Sequence, residues 1–131
     1  MYVPLNCVII DSDATNRQEL SIFLGRFGVN VVAQLPTADN LPGLLNRSDA
    51  PQLVIINLDP QTHEMLRRVG HLPRQFPSIS FFLMSQVLEA TLLMEAMHLG
   101  VREFIPLPMS EDKLTAAIVR GALGFGMGKK A

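Results

Sequence analysis

Five apolar runs rich in β-formers, each of four to eight residues, alternate along this chain with five segments of helical periodicity, and that alternation restricts the fold more than any other feature. The strand-like runs are Cys7 to Ile10, Asn30 to Leu35, Leu53 to Leu58, Ile79 to Met84 and Val101 to Ile105. The helical segments are Thr15 to Phe27, Asp39 to Asn46, Gln61 to Arg74, Leu88 to Leu99 and Glu111 to Leu123. Strands that are continuously apolar need both faces covered. A β-α order repeated five times therefore predicts a doubly wound five-stranded parallel sheet, (βα)5, in the α/β class, with helices on both faces. In such sheets functional groups collect at the carboxyl ends of the strands. That rule singles out Asp11 to Asp13, Asn57 to Asp59, Ser85 and Pro106 to Pro108.

A length of 131 residues with 48% hydrophobic content suits one domain with one sizeable core. The domain is expected over residues 1–124, with the glycine-rich stretch 125–131 as a linker or tail. The end Gly-Lys-Lys-Ala has neither the strand nor the spacing of a phosphate loop. Net charge is −1 and the eleven Lys and Arg residues are scattered along the sequence, which argues against nucleic acid as a partner. No apolar stretch is long enough to span a bilayer, no positively charged leader opens the chain, and the single cysteine, Cys7, lies within an apolar run. A reducing, cytoplasmic setting is the expectation, with Cys7 a buried hydrophobe and not a nucleophile. His63, His71 and His98 are unclustered and show no metal-ligand spacing.

Several residues read as helix caps. Asp59 followed by Pro60 predicts an N-cap and first helical position before the third helix, and Asp13 stands similarly before the first, readable equally as a cap or as a ligand. Ser110, followed by Glu111 and Asp112, reads as the cap of the last helix, with acids complementing its dipole. In the fourth helical segment Ala90, Leu93, Met94 and Met97 form the expected core stripe, with Thr91, Glu95 and His98 opposite and Leu88, Leu92 and Leu99 widening the apolar band. A band broader than a core-facing stripe points to cover by another chain. The last helix continues the trend with Ile118 and Ala122, so the expected interface comprises Leu88, Leu92, Met94, Leu99, Ile118 and Ala122.

The first strand with Asp11-Ser-Asp13 and Arg17, the third strand ending in Asn57, the fourth ending in Ser85 and the phrase Gly100-Val-Arg-Glu-Phe-Ile-Pro-Leu-Pro108 together resemble the receiver domain of bacterial response regulators, from Leu5 to about Leu123. The resemblance implies the flavodoxin-like, CheY-like fold. It also implies a pocket in which two acids after the first strand and an aspartate after the third hold magnesium while that aspartate accepts a phosphoryl group, assisted by a lysine before the last proline. Position by position, Asp11 matches the first acid, Ser12 replaces the second, Asn57 replaces the acceptor and Leu107 replaces the lysine. Asp13 is acidic but stands one place beyond the pair. Phe104 matches the aromatic that such domains rotate together with the hydroxyl residue of the fourth strand, although it is also readable as core, and Leu107-Pro108 matches a bond often cis in the family.

An amide is a far poorer nucleophile than a carboxylate, and magnesium prefers anionic oxygen ligands. The expectation is therefore a non-enzymatic pseudo-receiver with no cofactor, Asp11 being left as the one anionic ligand for a weak magnesium site. Within receivers, the phrase Ala96 to Pro108 with its altered pocket is most similar to the amino-terminal domain of tight-adherence pilus assembly proteins. That similarity implies a carboxyl-terminal effector or ATPase domain, and dimerisation or docking through the fourth helix, fifth strand and fifth helix. Two rival readings stand beside it: a working phosphorelay receiver that accepts phosphate on Asp59 with help from Asp11 and Asp13, and a small-ligand sensor at the strand ends.

Overall fold

The computed structural model describes residues 5–123, with side chains through Gly121. Five strands, β1 (Leu5–Ile10), β2 (Val29–Leu35), β3 (Leu53–Asn57), β4 (Ser80–Ser85) and β5 (Glu103–Pro106), form one sheet in the order β2-β1-β3-β4-β5. Every neighbouring pair is parallel. The helices are α1 (Ala14–Arg26), α2 (Leu41–Leu45), α3 (Thr62–Val69), α4 (Leu72–Gln75), α5 (Ala90–His98) and α6 (Glu111–Ala117), the last running on into a π-helical segment, Ile118–Leu123. This is the expected doubly wound flavodoxin-like sheet. The stretch 125–131, anticipated as a linker, lies outside the described residues.

Alternation along the strands sorts the core into two halves. Val8, Ile10, Val54, Ile56, Phe81 and Leu83 face α2, α3, α4 and α5, while Cys7, Ile9, Leu53, Ile55, Phe82 and Met84 face α1 and α6. All five residues of β3 are buried, and each aliphatic side chain there contributes about 1.5–3 kcal/mol by leaving water. Phe104 is half-buried on the first of these halves. Burial also pushes the Cys7 thiol pKa upward.

Three expectations are corrected. The segment Gln61 to Arg74 is two helices, because Gly70 ends α3 and Pro73 cannot continue it: its ring would meet the carbonyl one turn back. Gly70 is also required sterically, since a Cβ there would lie 2.8 Å from a Leu99 methyl and 2.7 Å from the Leu66 carbonyl oxygen. On α5 the buried positions are Leu92 and Ala96, with Leu99 half-buried beyond them, whereas Ala90, Met94 and Met97 face outward and Leu93 is half-buried. The helix is thus rotated from the expected stripe, and Leu92, 1% exposed, is core and not interface. Ile118 is likewise fully buried against the second half of the core, which removes it from any surface. The Ala122 side chain lies outside the described residues.

Candidate functional site

The carboxyl ends of β1, β3, β4 and β5 bring Asp11, Asn57, Ser85 and Leu107 to one edge of the sheet. Asp11 is anchored by its own main chain, whose N–H donates to the Leu35 carbonyl at 3.0 Å and whose carbonyl accepts from Arg17 Nη1 at 2.6 Å. Its carboxylate points at Asn57: Asn57 Nδ2 donates to Asp11 Oδ2 at 3.0 Å, and the Asp13 N–H donates to Asp11 Oδ1 at 2.9 Å. Asn57 Oδ1 in turn accepts the Asp59 N–H at 2.9 Å. These bonds determine which way the amide faces. Reversed, it would set its oxygen against a carboxylate and its NH2 against an N–H donor.

Asp13 and Ser110 cap as expected. Asp13 Oδ1 accepts the N–H groups of Thr15 at 2.8 Å and Asn16 at 3.1 Å, and the Ser110 hydroxyl accepts that of Lys113 at 3.4 Å. Asp59 does not cap. The Asp59–Pro60 peptide is cis, α3 begins at Thr62, and the Asp59 carboxylate turns toward β4. Its Oδ1 accepts the Ser85 hydroxyl at 2.5 Å and the Thr62 hydroxyl at 2.8 Å, and its Oδ2 accepts the Gln86 N–H at 2.8 Å. The Ser85 oxygen then accepts the Val87 N–H at 2.9 Å. A single carboxylate thereby ties the loop after β3 to the loop after β4. Thr62 and Gln86 were not anticipated from sequence; the Asp-x-x-Thr spacing was the available signal for Thr62, and none existed for Gln86, whose contribution is main-chain.

A cleft of about 340 Å³ opens over Asp11 and Asn57. Gln86, Asn16 and Glu19 border it on the polar side, and Met84, Leu107 and Met109 on the apolar side. No lysine, arginine or histidine lines it among the described residues. Ser12 is exposed and borders a smaller depression of about 160 Å³ beside Asn57 and Asp59. Leu107 is half-buried, its N–H donates to the Ser85 carbonyl at 2.9 Å, and the Leu107–Pro108 bond is cis, as the resemblance implied.

The residues present do not fit the magnesium ion used by phosphoryl-accepting receivers. Among the described residues no group of three or more His, Cys, Asp or Glu side chains is placed to hold a metal. Among the described residues Asp11 is the carboxylate bonded to the Asn57 side chain, and the Asn57 oxygen already serves the Asp59 N–H. A hard cation with near-octahedral demand would meet one anionic ligand and an amide NH2.

Of the residues expected at an interface, Leu88 and Met94 are exposed, by 53% and 71%, and they are joined by Met97 and, beyond α6, Val119. No helix among the described residues is long and apolar enough to cross a membrane.

Neither a protein-family model nor a curated protein sequence matches the chain. Solved structures do. A pilus assembly-related protein of Burkholderia pseudomallei superposes with a TM-score of 0.79 at 22% identity, covering 92% of each chain. The pilus assembly protein CpaE of Burkholderia thailandensis gives 0.77 at 24% identity over 88% of this chain and 96% of that one. The Borrelia burgdorferi complex of CheX and CheY with beryllofluoride and magnesium gives 0.79 at 13% identity over 90% and 89%. Over 88–92% of its length, this chain takes the fold of a response-regulator receiver domain, shared with chemotaxis and pilus assembly proteins.

Proposed function

We propose that this chain is a phosphorylation-independent, non-enzymatic receiver-like domain that dimerises or docks on a protein partner in bacterial signalling or pilus-machinery localisation. The observation that carries this reading is the Asp59 carboxylate on the Ser85 hydroxyl at 2.5 Å. In a receiver that hydroxyl answers the phosphoryl group; here an internal anion already holds it. Asn57 at the acceptor position and Leu107 at the lysine position remove the nucleophile and the charge that would stabilise a transferred phosphoryl group. Magnesium and other cofactors have no part in this reading.

The rival reading, phosphate acceptance on Asp59, is disfavoured by the same bonds. Both Asp59 oxygens accept hydrogen bonds from three donors, so attack on a phosphoryl donor would require dismantling that hub. The docking face is instead α5, β5 and α6, where Ala90, Met94 and Met97 recur at i, i+4 and i+7 on the outward side of α5. Methionines suit adaptable contacts. A linked carboxyl-terminal effector or ATPase domain and a cytoplasmic setting complete the proposal.

Light scattering of the chain with and without acetyl phosphate and magnesium tests it. The expected result is one concentration-dependent mass, identical in both conditions, with no phosphorylated species by mass spectrometry. A stable phosphoryl adduct that changes the mass distribution would overturn it.

A further inference from the structure

We infer that a second face, the groove between α3, α4 and α5, binds an acidic peptide segment of a partner protein that carries an aliphatic anchor. The groove has a volume of about 400 Å³ and lies away from the outward stripe of α5, being reached from the Glu95 and Leu99 side of that helix. Its floor is apolar, formed by buried Leu66 and half-buried Leu99. Gly70 keeps it open, since any side chain there would collide with Leu99. An open groove of this size, with an apolar floor and a polar rim, has room for the side chains of a bound peptide.

Charge on the rim names the occupant. Arg67, His71 and Arg74 border the groove against a single carboxylate, Glu95. Elsewhere the exposed arginines are matched: Arg26 pairs with Glu111, Arg47 with Asp49, and Arg120 with Glu103. Arg67 and, across the turn between α3 and α4, Arg68 have no hydrogen-bonding or ion-pair partner among the described residues. Arg74 is anchored by donating from Nη2 to the His98 carbonyl at 2.8 Å, which leaves its remaining N–H groups for an incoming acceptor. Four basic side chains, Arg67, Arg68, His71 and Arg74, thus gather where α3 meets α4. Guanidinium groups above an apolar floor match carboxylates flanking an aliphatic side chain, the carboxylates in bidentate pairs and the aliphatic group over Leu66 and Leu99. The recess is concave and lacks aromatic stacking surfaces, which favours a peptide over a bilayer or a nucleic-acid strand.

The test is selection of random linear peptides on the intact chain, followed by fluorescence anisotropy of the winners against wild type and Arg67→Glu/Arg74→Glu. Both substituted residues are exposed, so the double variant is expected to stay folded, with a denaturation midpoint lowered slightly by loss of the Arg74–His98 bond and by acids at two helix ends. Selected peptides should combine two or more Asp or Glu with Leu, Ile or Val. Their affinity should fall about tenfold or more in the double variant and weaken as salt rises, as for charge-assisted contacts. Failure to select any such peptide, or binding unchanged by the charge reversal, overturns the inference. So does binding of a DNA duplex or phosphatidylserine vesicles in place of peptide that the reversal abolishes. Because the substituted residues lie off the Met94 face, a failure here would leave the dimerisation reading standing, and a normal dimer mass with no peptide binding would separate the two.

Discussion

The Ser85 hydroxyl donates to the Asp59 carboxylate at 2.5 Å, joining the end of β4 to the loop after β3 across 26 positions of the chain. Ser85 is fully buried at the end of β4, and the acceptor its hydroxyl meets there is the Asp59 carboxylate. Replacing Asp59 by alanine leaves the Ser85 and Thr62 hydroxyls and the Gln86 N–H without their acceptor. Losing an acceptor that serves two buried hydroxyls should cost about 1–3 kcal/mol, read as a lower urea midpoint, with faster amide exchange at Gln86 and Val87. An unchanged midpoint would show that the hub contributes nothing.

Asn57→Asp alone should not create a phosphoryl acceptor. The substitution replaces the Nδ2 donor 3.0 Å from Asp11 Oδ2 by an oxygen, setting two carboxylates against each other, while Leu107 still supplies no charge. The variant is expected to be less stable than wild type near neutral pH and to remain unlabelled by acetyl phosphate. Stoichiometric labelling in the presence of magnesium would sink this account of the pocket.

The two apolar stripes of α5 should respond in opposite ways to a charge. Met94→Glu, at a position 71% exposed, should leave the denaturation midpoint nearly unchanged and shift the mass in light scattering toward monomer. Leu92→Glu, at a position 1% exposed, should lose about 3 kcal/mol or more by burying an unpaired charge and creating misfit, which would leave much of the chain unfolded. A Met94→Glu protein with the wild-type mass at every concentration would remove the helical face as an interface.

Cys7 gives a pH-dependent prediction. Burial alone raises its pKa above the ordinary value of 9.0, so the folded chain keeps the proton while the unfolded chain releases it. The contribution to stability is complete below 9.0 and falls as pH rises beyond it. Thiol reagents should therefore label Cys7 in urea but not in the native protein at pH 8, and the urea midpoint of wild type should decline above pH 9 more steeply than that of Cys7→Ala. Rapid native labelling would contradict its burial.

How much of this was legible in sequence depended on whether a residue's role is set by its neighbours in the chain. The continuous apolar run of β3 could be accommodated only with both faces covered, and the caps Asp13 and Ser110 act on N–H groups two or three residues away. Helix α5 was different: Ala90, Met94 and Met97 and the set Leu92, Ala96 and Leu99 are both apolar and both helically spaced. Local chemistry does not rank one above the other, and contact with the sheet chose the second.

The sequence by itself determined the five-stranded parallel architecture, the amide at the acceptor position and the loss of a cation at Leu107, because periodicity and side-chain chemistry are carried residue by residue. Only the tertiary structure decided that Asp59 reaches Ser85 and Gln86 instead of capping α3, which side of α5 faces outward, and that Arg67 and Arg74 share one groove. Each of these joins residues from separate elements, and their meeting is settled by how the helices seat on the sheet.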